Sequence, residues 1–170
     1  MTTESVVPEV LHVWAVYLQA SEEARRRGDR RTGTDHVLLG LLEDPSIEDV
    51  LGVSLQQARQ ALESLDQEAL CALGMGSGTE APPLPMRAVP KKPTFRAVMK
   101  RDRLRMTPAA KNVLEEAVKP NRRKTQVTPQ QVLAQILTLQ PPDPAAVLLG
   151  ALRVDTSEVR GRLVAVTPDD

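Results

Sequence analysis

Two stretches of the chain follow one pattern: TGTDHVLLGLL and VTPQQVLAQIL superpose when Val132-Leu133 is set on Val37-Leu38, an offset of 95 residues. Further along, LRVDTSEVRGRL lies on LGVSLQQARQAL at an offset of 101, pairing Leu152 with Leu51, Val154 with Val53, Arg160 with Arg59 and Leu163 with Leu62. The extra length falls in the proline-rich TLQPPDPAAV segment, where a loop absorbs it. A single copy is too small to close a good core alone. The duplication therefore predicts two units that bury their apolar sides against each other.

Each unit reads as four helices. Val10, Val13, Trp14, Tyr17, Ala20 and Ala24 recur at three- and four-residue steps and line one helix face from Pro8 to Arg27. Ser5 offers its cap, Pro8 its first turn, and Gly28 the left-handed turn that ends it. Thr34 is read as the cap of a second helix, VLLGLL, apolar nearly all round and so expected to be central. Ser46-x-x-Asp49 and Ser54-x-x-Gln57 read as capping boxes for the third and fourth. In the second half Thr107-Pro108, Thr128-Pro129-Gln130-Gln131, Asp143-Pro144 and Asp155-x-x-Glu158 open four helices in the same order. The expected fold is all-α: two tandem four-helix repeats forming one pseudo-two-fold, eight-helix domain.

The expected boundaries are 5–69 for the first repeat, 70–106 for a Pro/Gly-rich basic linker and 107–166 for a degenerate second repeat. The linker assignment rests on five prolines between Pro82 and Pro93, the GMGSG cluster and the loss of apolar periodicity. Its last part, FRAVMKRDRLRM, is open to a short helix or an ordered strap. Aromatics are only 2% of the chain against 41% hydrophobic residues, so Leu, Val and Ala must fill the core, which suits helices.

The chemistry that the residues argue against is broad. Lys+Arg and Asp+Glu balance at 22 each, so no global field holds a polyanion or an anionic membrane. One cysteine, Cys71, forms no internal disulfide and fits a reducing compartment. The start MTTESVVPEV has neither a basic region nor an apolar signal core, and no long apolar run follows, so a cytoplasmic protein without a membrane partner is expected. No G-x-x-x-x-G-K-[ST] loop is present to cradle ATP phosphates. His36 and His12 stand in no metal-ligand spacing with Cys71, so His36 reads as structural, packing or capping. Glu22-Glu23, Glu48 with Asp49, and Glu115-Glu116 are placed on solvent faces, and Ser46 and Ser54 read as caps rather than nucleophiles. No catalytic residue, metal site or cofactor is expected. The rival signal is the basic clusters, Arg25 to Arg27, Arg30-Arg31, Lys91 to Arg105 and Arg122 to Lys124, which would suit a DNA-associated helical regulator if they converged. The neutral total and scarce aromatics argue against a nucleic-acid partner.

The stretch EEARRRGDRRTGTDHVLLGLLEDPS followed by VLGVSLQQARQALESL resembles the Clp N-terminal (Clp R) repeat, with its EEA-x-x-x-G, G-T-E-H-[IL]-L-L-G-L and L-G-V-[DS] segments. Residues 7 to 66 carry the specific likeness, and 106 to 166 share the pattern. This repeat stands in tandem at the front of Clp-type AAA+ unfoldases such as ClpA, ClpB and ClpC, and also in stand-alone proteins. The resemblance implies a non-enzymatic domain that docks clients, adaptors or protease components of Clp-dependent proteolysis in grooves between its repeats. In one branch of the family it also implies binding of phosphorylated arginine, by a helix-start threonine and the acid of G-T-E-H. On that resemblance the pocket falls at Thr34, Asp35 and His36 in the first half and at Thr107 and Gln130 in the second. The sequence departs from the family in both: Val10 stands where the first threonine would be, and Gln130 where the second acid would be.

Overall fold

Helix-start residues set most of the element boundaries. The computed structural model describes residues 11–74, 104–121 and 126–166. The first half runs β1 (Leu11–His12), α1 (Val13–Arg27), β2 (Arg31–Thr32), α2 (Thr34–Leu41), α3 (Pro45–Leu51) and α4 (Leu55–Ala72). The second runs β3 (Arg105–Met106), α5 (Pro108–Val118), a 3-10 turn at Lys119–Asn121, β4 (Gln126–Val127), α6 (Pro129–Ile136), α7 (Pro144–Ala151) and α8 (Thr156–Val166). The chain is thus mostly helical, with eight helices among the described residues.

Local capping explains the starts. Ser54 accepts from the Gln57 amide at 3.3 Å while Gln57 Oε1 accepts the Ser54 amide at 2.9 Å. Thr128 and Gln131 do the same for α6, at 3.2 and 2.9 Å. Thr107 caps α5, Asp143 caps α7, and Asp155 accepts from the amides of Ser157 and Glu158. Gly28, with φ of +80°, makes the left-handed turn that ends α1.

The helix expected from Pro8 begins only at Val13, because Leu11–His12 pairs as β1 with Gln126–Val127, and three further local expectations are corrected. The cap of α2 is Gly33, not Thr34, whose hydroxyl is drawn to a distant partner. The cap of α3 is Asp44, because Pro45 takes the first helical position and places Ser46 inside the helix, where its amide donates to Asp44 at 2.9 Å. Glu23, expected at the surface, is only 1% exposed, because Arg59 of α4 reaches over α1 and covers it. Residues 5 to 10, with the Ser5 cap, Pro8 and Val10, lie outside the described residues. So does most of the segment expected to be linker, although α4 continues to Ala72 and Arg105–Met106 forms a strand.

The two halves interlock by exchange. β1 pairs with β4, and β2 with β3, so the segment before the first helix of each half joins the segment before the second helix of the other. Likewise α4 packs on α7 and α3 on α8. Those are the reciprocal pairs that a two-fold rotation relating the halves requires. The rotation is approximate at the strands, since β1–β4 is antiparallel and β2–β3 parallel.

The core is one continuous cluster. It joins Leu38, Leu39, Leu42 and Ile47 of the first half to Leu133, Ile136, Leu137 and Leu148 of the second, each at most 2% exposed. Every residue of α2 is buried, and this helix touches α1, α4, α5, α6 and α7. An all-round apolar helix needs neighbours on every side, and only the second half can supply the missing ones.

Candidate binding sites along the seam of the repeats

The start of α2 is a polar knot rather than an open pocket. Gly33 donates its amide to His36 Nδ1 at 3.0 Å, so the imidazole plays the part that Glu or Gln plays in a capping box. On its other side His36 Nε2 meets Asp29 Oδ2 at 2.9 Å. Asp35 Oδ2 receives Arg27 Nη1 at 3.1 Å, and the same guanidinium reaches Asp66 of α4 at 2.5 Å. Thr34 turns the opposite way: its hydroxyl donates to Asp143 Oδ1 at 2.7 Å. Asp143 is the cap of α7, so one hydrogen bond fastens a helix start of the first half to a helix start of the second.

Nδ1 of His36 has two claimants. Gly33 N–H needs a lone pair there, while Asp35 Oδ1, 3.2 Å away, needs a proton. The neutral ring keeps the cap; the imidazolium trades it for a second carboxylate. Burial disfavours the imidazolium, but the carboxylates of Asp35 and Asp29 outweigh it and raise the His36 pKa above the ordinary value. Burial would likewise raise Asp35, but the hydrogen bond and charge of His36, with the charge of Arg27, hold it below the ordinary carboxylate value.

The sign follows for each group. A raised histidine contributes stability at low pH that is lost as pH climbs through its folded pKa. A lowered aspartate contributes stability that is lost as pH falls below the ordinary carboxylate range. The contribution of the pair is therefore greatest from about pH 4 to about pH 6.5. Urea unfolding across pH should find the parent losing stability above that window, and His36→Gln should flatten that alkaline limb. An unchanged limb in the variant would count against the imidazole's role.

Thr107 and Gln130 each bond to the first half. Thr107 donates its amide to the carbonyl of Thr32 at 2.9 Å, and its hydroxyl accepts from the Ala110 amide at 3.3 Å. Gln130 Nε2 donates to Ser46 Oγ at 3.3 Å, leaving its buried Oε1 without a partner among the described residues. The structure therefore gathers Thr34, Asp35 and His36 at one buried helix start, and sets Thr107 and Gln130 at two separate contacts across the seam. Among the described residues no group of His, Cys, Asp or Glu is arranged to hold a metal ion.

A groove of about 530 Å³ lies on the seam itself, with Val13 of α1 on one side and Met106, Leu114 and Val118 of β3 and α5 on the other. Its rim is charged: Lys111 pairs with Glu115 at 3.4 Å, and Lys119 pairs with Glu116. An apolar floor with a few charged groups at its edge is the build of a site that takes up an apolar side chain and orients what carries it. The sequence signals Val13 and Leu114 only as helix-face residues, and Met106 only as the end of a linker. Arg27 is signalled only as part of a basic cluster, and Asp66 carries no motif.

Two four-helix repeats, locked by exchanged strands and shared helix caps, with a groove on their seam among the described residues, define a tandem-repeat helical module. The Clp repeat (R) N-terminal domain matches residues 11–149, from β1 into α7, and the chain belongs to that family. No curated protein matches the chain in sequence. Among the described residues no helix is long and apolar enough to cross a membrane.

Proposed function

We propose that the chain is a non-catalytic docking module of Clp-dependent proteolysis, taking clients, adaptors or protease components into the groove between its repeats. The observation that carries this reading is the groove floor. Val13 comes from one repeat and Met106, Leu114 and Val118 from the other, so the surface exists only when the two units are assembled. The exposed single thiol, Cys71, suits a reducing cytoplasm.

Phosphoarginine is not part of the proposal. The carboxylate that would receive its guanidinium, Asp35, has 9% of its side chain exposed and is filled by the chain's own Arg27. A ligand guanidinium would have to displace an internal one that also binds Asp66.

Affinity purification on the immobilised chain from a cytoplasmic extract tests the reading. The expected recovery is an unfoldase, a protease subunit or an adaptor of the Clp system. Met106→Glu or Val118→Glu places a charge in the apolar floor at a half-buried position and should reduce that recovery at least about tenfold without unfolding the domain. Equal recovery on the variants would exclude the groove, and recovery of no Clp component would exclude the function.

A further inference from the structure

The β2–β3 ladder presents charge that no carboxylate answers among the described residues. Register pairs Arg31 with Arg105, both exposed, while their neighbours Thr32 and Met106 are buried and half-buried. Arg30, also exposed, directly precedes them. Like charges in register on adjacent strands repel, and a ladder of two residues has few hydrogen bonds to offset the repulsion. Among the other cations, Arg25, Arg27, Arg59, Lys111, Lys119 and Arg162 each face a carboxylate, and Arg160 donates to the Leu137 carbonyl, while Arg153 faces no carboxylate among the described residues. Arg30, Arg31 and Arg105 face none among the described residues.

We propose that this in-register arginine pair, with exposed Arg30 beside it in the chain, is a docking surface for an acidic peptide segment of a partner protein, whose carboxylates bridge the in-register guanidiniums. Adjacent strands lie roughly 4.8 Å apart, so two planar forks stand side by side at a spacing that one carboxylate, or two successive ones, can span. Binding would remove the repulsion that folding leaves in place. Duplex nucleic acid fits less well. Polyanion binding at physiological salt rests on about 6–10 phosphate contacts, three cations supply fewer, and the balanced total charge adds no steering field. The surface is separate from the seam groove, because Arg105 and Met106 alternate across their strand, and it does not depend on what the groove binds.

The test is fluorescence anisotropy with a labelled oligoglutamate peptide titrated against the whole chain, alongside oligoglutamine and random duplex DNA. Expected are saturable oligoglutamate binding that added salt weakens, no oligoglutamine binding, and a loss of at least about tenfold in the Arg31→Gln/Arg105→Gln double variant. Absence of oligoglutamate binding, equal binding by the double variant, or tighter binding of duplex DNA overturns the proposal. Arg30→Gln, which lies outside the ladder, guards against a double variant that fails to fold by circular dichroism. It is expected to weaken oligoglutamate binding by a smaller factor, and unchanged binding there overturns the proposal equally.

Discussion

Replacing Arg59 with alanine is expected to lower the stability of the domain by about 3–5 kcal/mol, the range for stranding one member of a buried ion pair. Glu23 is 1% exposed, and Arg59 grips it with two hydrogen bonds, Nε at 3.1 Å and Nη2 at 2.5 Å. Arg26 stands 4.0 Å from the same carboxylate, but its side chain is 59% exposed and its hold is correspondingly screened. Once Arg59 is gone the carboxylate keeps its burial and loses its fork. Removing both charges is a different experiment. A Glu23→Leu, Arg59→Met pair leaves nothing stranded and should recover most of the loss. Denaturant unfolding of the two single variants and the pair makes the comparison. A single-variant loss below about 1 kcal/mol, the scale of a surface pair, would mean that the carboxylate finds water or another donor.

How much of this was legible depends on the distance over which each feature is encoded. Ser54 with Gln57, Thr128 with Gln131 and Thr107 with Ala110 are closed within four residues, and the sequence states them directly. Thr34 reads as a cap in sequence because the competing acceptor, Asp143, lies 109 residues away and meets it only when the repeats pack. Glu23 reads as a surface residue on similar grounds. The helix-face pattern of α1 says which residues face α2, but not that Arg59 of α4 lies over the next column. The paired strands are two residues each, too short for alternation to register. The knot at α2 is an intermediate case, since Gly33, Asp35 and His36 are local while Arg27 and Asp66 arrive from α1 and α4. The groove was least legible of all. Its floor consists of positions whose apolar character is explained equally well by burial, as at Leu114, and only the cavity beside them among the described residues marks a site.

Gly40→Ala is expected to destabilise by about 3 kcal/mol, the upper end of the usual cost of overpacking. Propensity alone predicts the opposite sign, because alanine in a helix interior is favoured over glycine by up to about 1 kcal/mol. Packing decides the matter: a methyl at this position would stand 2.9 Å from the backbone nitrogen of Ala20 and 3.1 Å from the carbonyl carbon of Gln19. Both belong to the main chain of α1 and cannot swing aside as a side-chain tip would. Relief requires α1 to withdraw from α2, and α1 also carries Val13 into the groove, so partner binding should weaken together with stability. The second repeat supplies the control, since its equivalent position at the offset of 95 is Gln135, half-buried on α6. Glutamine there means that α5 and α6 do not approach backbone to backbone, so Gln135→Ala should change stability by only a few tenths of a kcal/mol. Thermal and urea unfolding of the two variants read the difference, and a Gly40→Ala protein at least as stable as its parent would mean that the close crossing of α1 on α2 is not there.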